Sequence, residues 1–137
     1  MQLHAGTPLN PAIIRALSHG QTIDMTTTGR RSGLARRIEI VFHNFDGRIY
    51  ISGTPRAGRT RAWIHNLTAN PRLTVHLKGA VAVDLPATAR IITDEAERRA
   101  VFARIVQVWR GQDVETMTRH SPLIEVTIDG LRATTAA

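Results

Sequence analysis

The chain has no cysteine, so it carries no disulfide, no thiolate nucleophile and no thiolate-held metal. It has no apolar run near the roughly 18 residues that a transmembrane helix requires. Its start, Met1-Gln2-Leu3-His4-Ala5-Gly6, shows neither the charged opening nor the apolar stretch of a secretory signal. A soluble cytoplasmic protein is the expectation. Aromatic residues make up only 4% of the chain, with Tyr50 the single tyrosine. Small basic barrels that bind single-stranded nucleic acid stack bases on exposed aromatics, so nucleic acid is a poor partner for this sequence. The six histidines are scattered, with no His-Glu-x-x-His pairing, and no metal is expected. Neither Gly-x-Ser-x-Gly, Gly-x-Gly-x-x-Gly nor a Walker loop is present, which leaves hydrolase, Rossmann and P-loop readings without support. No nucleophile or acid/base pair stands out. That absence fits chemistry carried by a cofactor which the protein orients.

What is present is arginine. Of 18 basic residues only Lys78 is a lysine, and the net charge is +7. Residues 30–61 hold eight arginines against two acids, Glu39 and Asp46. Such a cluster implies an anionic partner, and the guanidinium fork suits phosphate and carboxylate. At 137 residues the chain is one domain.

The pattern of residues predicts a small barrel. Residues 11–18 read as a helix, capped by Asn10, opened by Pro11 and stopped by Gly20. Residues 22–28, 36–43 and 48–53 read as a three-strand meander, with Asn44-Phe45-Asp46-Gly47 as a hairpin signal. A short helix from Ala62 is stopped by Asn70-Pro71. A fourth strand ends at Lys78, and a fifth covers 81–92, where Pro86 predicts a bulge or an edge. Residues 94–110 form the only long helix, with the cap pair Asp94/Glu97 and an apolar side of Val101, Phe102, Ile105, Val108 and Trp109. A weaker helix over 113–119, a sixth strand over 122–128 and a tail over 131–137 complete the chain. The fold class is mainly β, a barrel of about six antiparallel strands with a lead-in and helix over 1–20.

Two segments could carry chemistry. In Thr28-Gly29-Arg30-Arg31-Ser32-Gly33 two glycines allow a tight turn with N–H groups aimed into one concavity, and Arg36 and Arg37 follow closely. The loop is suited to phosphate; the bland alternative is a hairpin turn with solvated arginines. Trp63, Asn66 and Leu67 share a helix face, where an indole beside an amide suits a flat heteroaromatic ring. Core packing is the more usual explanation of the Trp/Leu pair and on spacing alone the better one, but an asparagine inside a helix needs a partner.

Taken together, Thr26-Thr27-Thr28-Gly29-Arg30-Arg31-Ser32-Gly33 and Ala62-Trp63-Ile64-His65-Asn66-Leu67-Thr68-Ala69-Asn70-Pro71 resemble the deazaflavin-dependent nitroreductases of actinobacteria. The resemblance runs from about Thr22 to Ile128. It implies a split β-barrel like those of flavin reductases and pyridoxamine-phosphate oxidases. It also implies coenzyme F-420, an 8-hydroxy-5-deazaflavin with a phosphate-linked oligoglutamate tail, and hydride transfer to a small electron-poor acceptor such as a quinone, nitro compound or enone. By position, Arg30, Arg31, Ser32, Gly33 and Arg36 would hold the phosphate and tail, with Thr28, Gly29 and Arg37 also among the cofactor-binding residues. Ala62, Trp63 and Asn66 would lie along the ring, with the Gly53-Thr54 backbone nearby. Split barrels commonly pair, so a homodimer fits, although no patch in the sequence marks its face. The alternatives are an FMN-binding split-barrel reductase and a non-catalytic basic module holding cofactor, lipid or nucleic acid. This chain departs from the family in three places. Arg31 stands where lysine is common, Glu39 and Val41 stand where many members have Pro and Tyr, and residues 109–121 contain no tyrosine. No catalytic residue is assigned on these grounds.

Overall fold

The computed structural model describes residues 9–131. The expected lead-in over 1–8 and the tail beyond Leu131 lie outside the described residues. The elements follow the order α1 (Pro11–Leu17), β1 (Gln21–Thr28), β2 (Ala35–Phe45), β3 (Arg48–Ser52), α2 (Ala62–Ala69), β4 (Arg72–Lys78), β5 (Ala82–Ile91), α3 (Glu95–Val108), α4 (Val114–His120) and β6 (Leu123–Ile128). The six strands close into one antiparallel barrel in the order β1-β2-β3-β6-β5-β4.

Alternation builds the barrel interior. Ile23, Met25 and Thr27 of β1 point inward with Phe42, Ile51, Val75, Leu85 and Ile124, all buried. A second apolar cluster lies outside the wall, where Phe102, Ile105 and Met117 of α3 and α4 cover Tyr50, Ile92 and Leu123. Burying each large side chain is worth about 1.5–3 kcal/mol, so the helical cover is part of the folding unit. Val108 departs from the expected apolar side: it is 65% exposed, because α3 ends there and the chain turns away.

The turns obey local chemistry. Asp46 and Gly47 both adopt positive φ, 57° and 87°, between paired Phe45 and Arg48. That is the two-residue type I′ hairpin whose twist matches the strands. Pro86 causes no bulge, since β4 and β5 stay in register from Arg72↔Thr88 to Lys78↔Ala82. Its carbonyl accepts from the Asp129 N–H, just past the end of β6, so its missing N–H faces the side where that ladder stops. α2 packs beside β1 and β5 and brings its Trp63 face toward the loop after β1.

Candidate functional site

A cleft of about 350 Å³ opens between the loop 29–34 and α2. Ile38, Ala62 and Trp63 line it, and so do Arg30, Arg31 and Arg36. Of the residues expected to bind cofactor, Gly29, Arg30, Arg31, Ser32, Arg36, Ala62, Trp63 and Asn66 meet here, joined by the inward Thr27.

Asn66 is the clamp. Buried on α2, it accepts from the Arg30 N–H at 3.1 Å through Oδ1 and donates through Nδ2 to the Thr27 hydroxyl at 3.1 Å. Both polar ends of the amide are thereby used to fix the loop against the helix. This answers why a helix interior tolerates asparagine.

Four of the loop's backbone N–H groups are spent within the protein, which leaves those of Arg31 and Ser32 without a hydrogen-bond partner among the described residues. Gly29 donates to the Leu34 carbonyl at 2.8 Å, Gly33 donates to the Gly29 carbonyl at 2.8 Å, and Leu34 donates to Ser32 Oγ at 3.1 Å. With the Arg30 N–H on Asn66, the loop spends these amides on its own closure. Close packing needs the glycine at 29: a Cβ there would stand 2.8 Å from Ser32 Oγ. Gly33 sits at φ 72°, where other residues are strained. Charge here comes from side chains. Arg30, Arg31 and Arg36 have no carboxylate partner among the described residues.

Five expected positions fall elsewhere. Strand alternation turns Arg37 to the opposite face of β2, where its Nε meets Asp24 at 3.0 Å. Thr28 and Gly33 do not line the cleft. Thr54 serves Arg61, accepting from Nη2 through its carbonyl at 2.6 Å and its hydroxyl at 3.0 Å. Gly53 lines a neighbouring cavity of about 470 Å³ that shares Ile38 and Trp63 with the cleft.

That neighbouring cavity is mostly apolar, with Ile40, Val41 and Trp109 on its walls. Glu39 also lines it, but its carboxylate is paired with Lys78, which in turn holds Asp24 at 2.7 Å. The negative charge of Glu39 is balanced on the spot. These contacts hold Asp24 below the ordinary carboxylate range, through the hydrogen bonds of Lys78 and then Arg37, and raise Lys78.

Two residues were missed in the sequence. His43 is 7% exposed, stacks on Phe45 at 5.8 Å and leans on Trp109 at 6.3 Å. Burial pushes its pKa down, so the ring is neutral at neutral pH, and it faces the apolar cavity. Arg61 stands at the N-cap of α2 without making a side-chain cap. Its pKa is lowered by burial and then by nearby Arg56, and its Nη1 is buried with no partner among the described residues. An arginine at an N-cap, where Ser, Thr, Asp and Asn are preferred, is the sequence signal that could have found it.

Among the described residues no group of His, Asp or Glu could hold a metal ion, and no helix is long and apolar enough to cross a membrane.

Comparison with known proteins bears on this site. The profile of the F420H(2)-dependent quinone reductases matches residues 4–129. Among solved structures, the chain is similar to an F420-H2 dependent reductase, with 26% identity over 77% of this chain and 93% of that one, at a TM-score of 0.56. It is also similar to a conserved hypothetical protein from Mycobacterium tuberculosis (17% identity, 100% and 98% covered, TM-score 0.69). A protein from Listeria innocua assigned as a pyridoxamine 5′-phosphate oxidase matches at 15% identity, with 91% and 94% covered and a TM-score of 0.56. The last two likenesses concern the fold, and the split barrel expected from the sequence is the fold observed.

Proposed function

The chain belongs to the family of F420H(2)-dependent quinone reductases, and on that premise we propose that it binds coenzyme F-420 in the cleft and reduces an electron-poor acceptor, a quinone first among them. The single observation that carries this reading is the polarity of the cleft. A slot walled by Ile38, Ala62 and Trp63 is also lined by three arginines without carboxylate partners among the described residues. A flat ring attached to a phosphate and an acidic tail matches that combination. When bound and reduced, the deazaflavin supplies hydride. The residues of the chain orient it: the Trp63 face packs the ring, Asn66 keeps loop and helix together, and Arg30, Arg31 and Arg36 neutralise the anionic end.

The adjoining apolar cavity is the proposed acceptor site, since it meets the cleft across Ile38 and Trp63. His43, neutral and donor-capable, lines it together with Arg61, and either can donate to an acceptor oxygen. Quinones, enones and nitro compounds all present one. A homodimer remains part of the proposal: Val41 and Val108, 45% and 65% exposed, give this cavity an apolar rim.

Titration with coenzyme F-420 and FMN in parallel, followed by ligand fluorescence, is the direct test. Saturable binding of the deazaflavin, with FMN weaker, is expected, and reduced cofactor should then lose its electrons to menadione. Tight FMN binding with no deazaflavin response would overturn the cofactor assignment. Light scattering on the same sample reads the oligomeric state, and a monomer at all concentrations removes the dimer.

A further inference from the structure

A third cavity, of about 400 Å³, lies on the Ile64 side of α2, away from the Trp63 cleft. Arg56, Arg59, Arg61, Arg119, His120 and Ser121 line it, and no Asp or Glu does. Two polar groups in its wall have nothing to bond. Ser121 is 4% exposed, and its Oγ has no partner among the described residues; nor has Arg61 Nη1. A buried hydroxyl and a buried guanidinium nitrogen left open cost stability unless something fills them.

The frame around these groups is firm. Arg98 reaches under the basin and donates to four backbone carbonyls, those of Ile92, Met117, Thr118 and Ser121. Its charge is thus spent on holding the end of α4 against the start of β6. The Arg56 N–H donates to the His120 carbonyl at 3.1 Å and ties the loop before α2 to the same point. Donors, cationic charge and a fixed wall converge with no counter-charge. That combination selects an oxyanion.

We propose that this basin is a second anion site, taking the carboxylate or phosphate groups of a small polyanion. Two sources share that chemistry. One is a free di- or tricarboxylate or phosphate ester. The other is the acidic tail of a deazaflavin held in the neighbouring cleft, and this source rests on the reading above. An intermediate hollow of about 400 Å³, lined by Arg30, Arg59 and Ala62, shares residues with both sites, so a continuous arginine path connects them around the start of α2.

Isothermal titration of the full chain with citrate and with pyrophosphate at low ionic strength tests the site. Saturable binding is expected for wild type. Arg119→Glu, an exposed change on α4, should weaken it roughly tenfold or more, from the ~1.5–3 kcal/mol of a charge-assisted contact. Ser121→Ala should weaken it less, and Arg31→Glu, in the cleft, should leave it within about twofold. Displacement of bound citrate by coenzyme F-420 but not by a tail-less deazaflavin identifies the tail as the source. Simultaneous, independent binding of citrate and cofactor identifies a free anion. If citrate binds with this dependence while no deazaflavin binds at all, the anion site stands and the cofactor proposal falls. Absence of saturable heat with both anions, together with unchanged F-420 affinity in Arg119→Glu, overturns the anion site.

Discussion

Two sets of arginines divide this surface. On the α3 side, Arg90 forks onto Glu97 and also reaches Glu125, and Arg99 bridges Glu95 and Glu115; at the start of β4, Arg72 grips Asp129 with both arms. Around α2, by contrast, Arg30, Arg31, Arg36, Arg56, Arg59 and Arg61 have no carboxylate partner among the described residues. The first set is electrically neutralised by its own acids. The second leaves positive potential concentrated over three connected cavities, where it can draw and hold an anion. The same residue type thus serves two ends, and only the distribution of acids tells them apart. Composition alone would assign the net charge to the whole surface.

The sharpest break of this contrast is a pair of charge reversals. Arg31→Glu should weaken coenzyme F-420 binding roughly 10- to 100-fold, given ~1.5–3 kcal/mol for a charge-assisted contact. Arg99→Glu, though it reverses the same charge, should leave that affinity within about twofold and change stability little, since its ion pairs are exposed. Equal losses of affinity in both variants would mean that net charge, not the cleft, governs binding. Raising the salt concentration should reproduce the weakening in wild type and shrink the difference between the variants.

Removing the clamp comes second. Asn66→Ala strips the Arg30 N–H and the Thr27 hydroxyl of their partners in a buried setting. Chemical denaturation should show a loss of about 1–3 kcal/mol at unchanged m-value. Cofactor affinity should fall as well, because the loop is no longer held to α2. A loss under about 0.5 kcal/mol, within the scatter of ordinary surface changes, would show that the amide is not the fastener.

What the sequence disclosed follows the range of the physics involved. Strand alternation, the Asn10-Pro11 helix start, the Asp94 cap and the Asp46-Gly47 turn are settled by near neighbours, and all were legible. Gly20 was legible only in part. It follows α1 as a stop signal should, yet its left-handed freedom is not used; a Cβ there would stand 2.8 Å from the Phe42 carbonyl of β2. Which loop amides are spent inside the protein was hidden for a related reason. Whether an N–H points outward depends on Leu34 and on an asparagine 36 residues away. Arg61 and His43 draw their character from burial by distant elements, α4 and β6 in one case and the end of α3 in the other. No local pattern carries that information.

His43 gives the smallest effect and extends the contrast from arginines to the one buried base of the acceptor cavity. Burial lowers its pKa below the ordinary 6.5, so the unfolded chain binds this proton more readily than the folded one. The resulting stability is complete above the unfolded pKa and is lost as pH falls through the folded one. Carboxylates such as Asp24 and Asp129, ordinarily near 3.8, are themselves lowered, by Lys78 and by Arg72 respectively. Their contributions disappear only at more acidic pH, which separates the two windows. Between about pH 7 and pH 5, wild type should therefore lose melting temperature faster than His43→Gln, whose amide does not titrate in that range. The loss should be modest, because one histidine is involved and a small rearrangement would admit water beside it. Parallel curves for the two proteins would show that the ring is already solvated. Neutral His43 would then lose its standing as a donor fixed beside an acceptor oxygen, while the arginine assignments around α2 would be untouched.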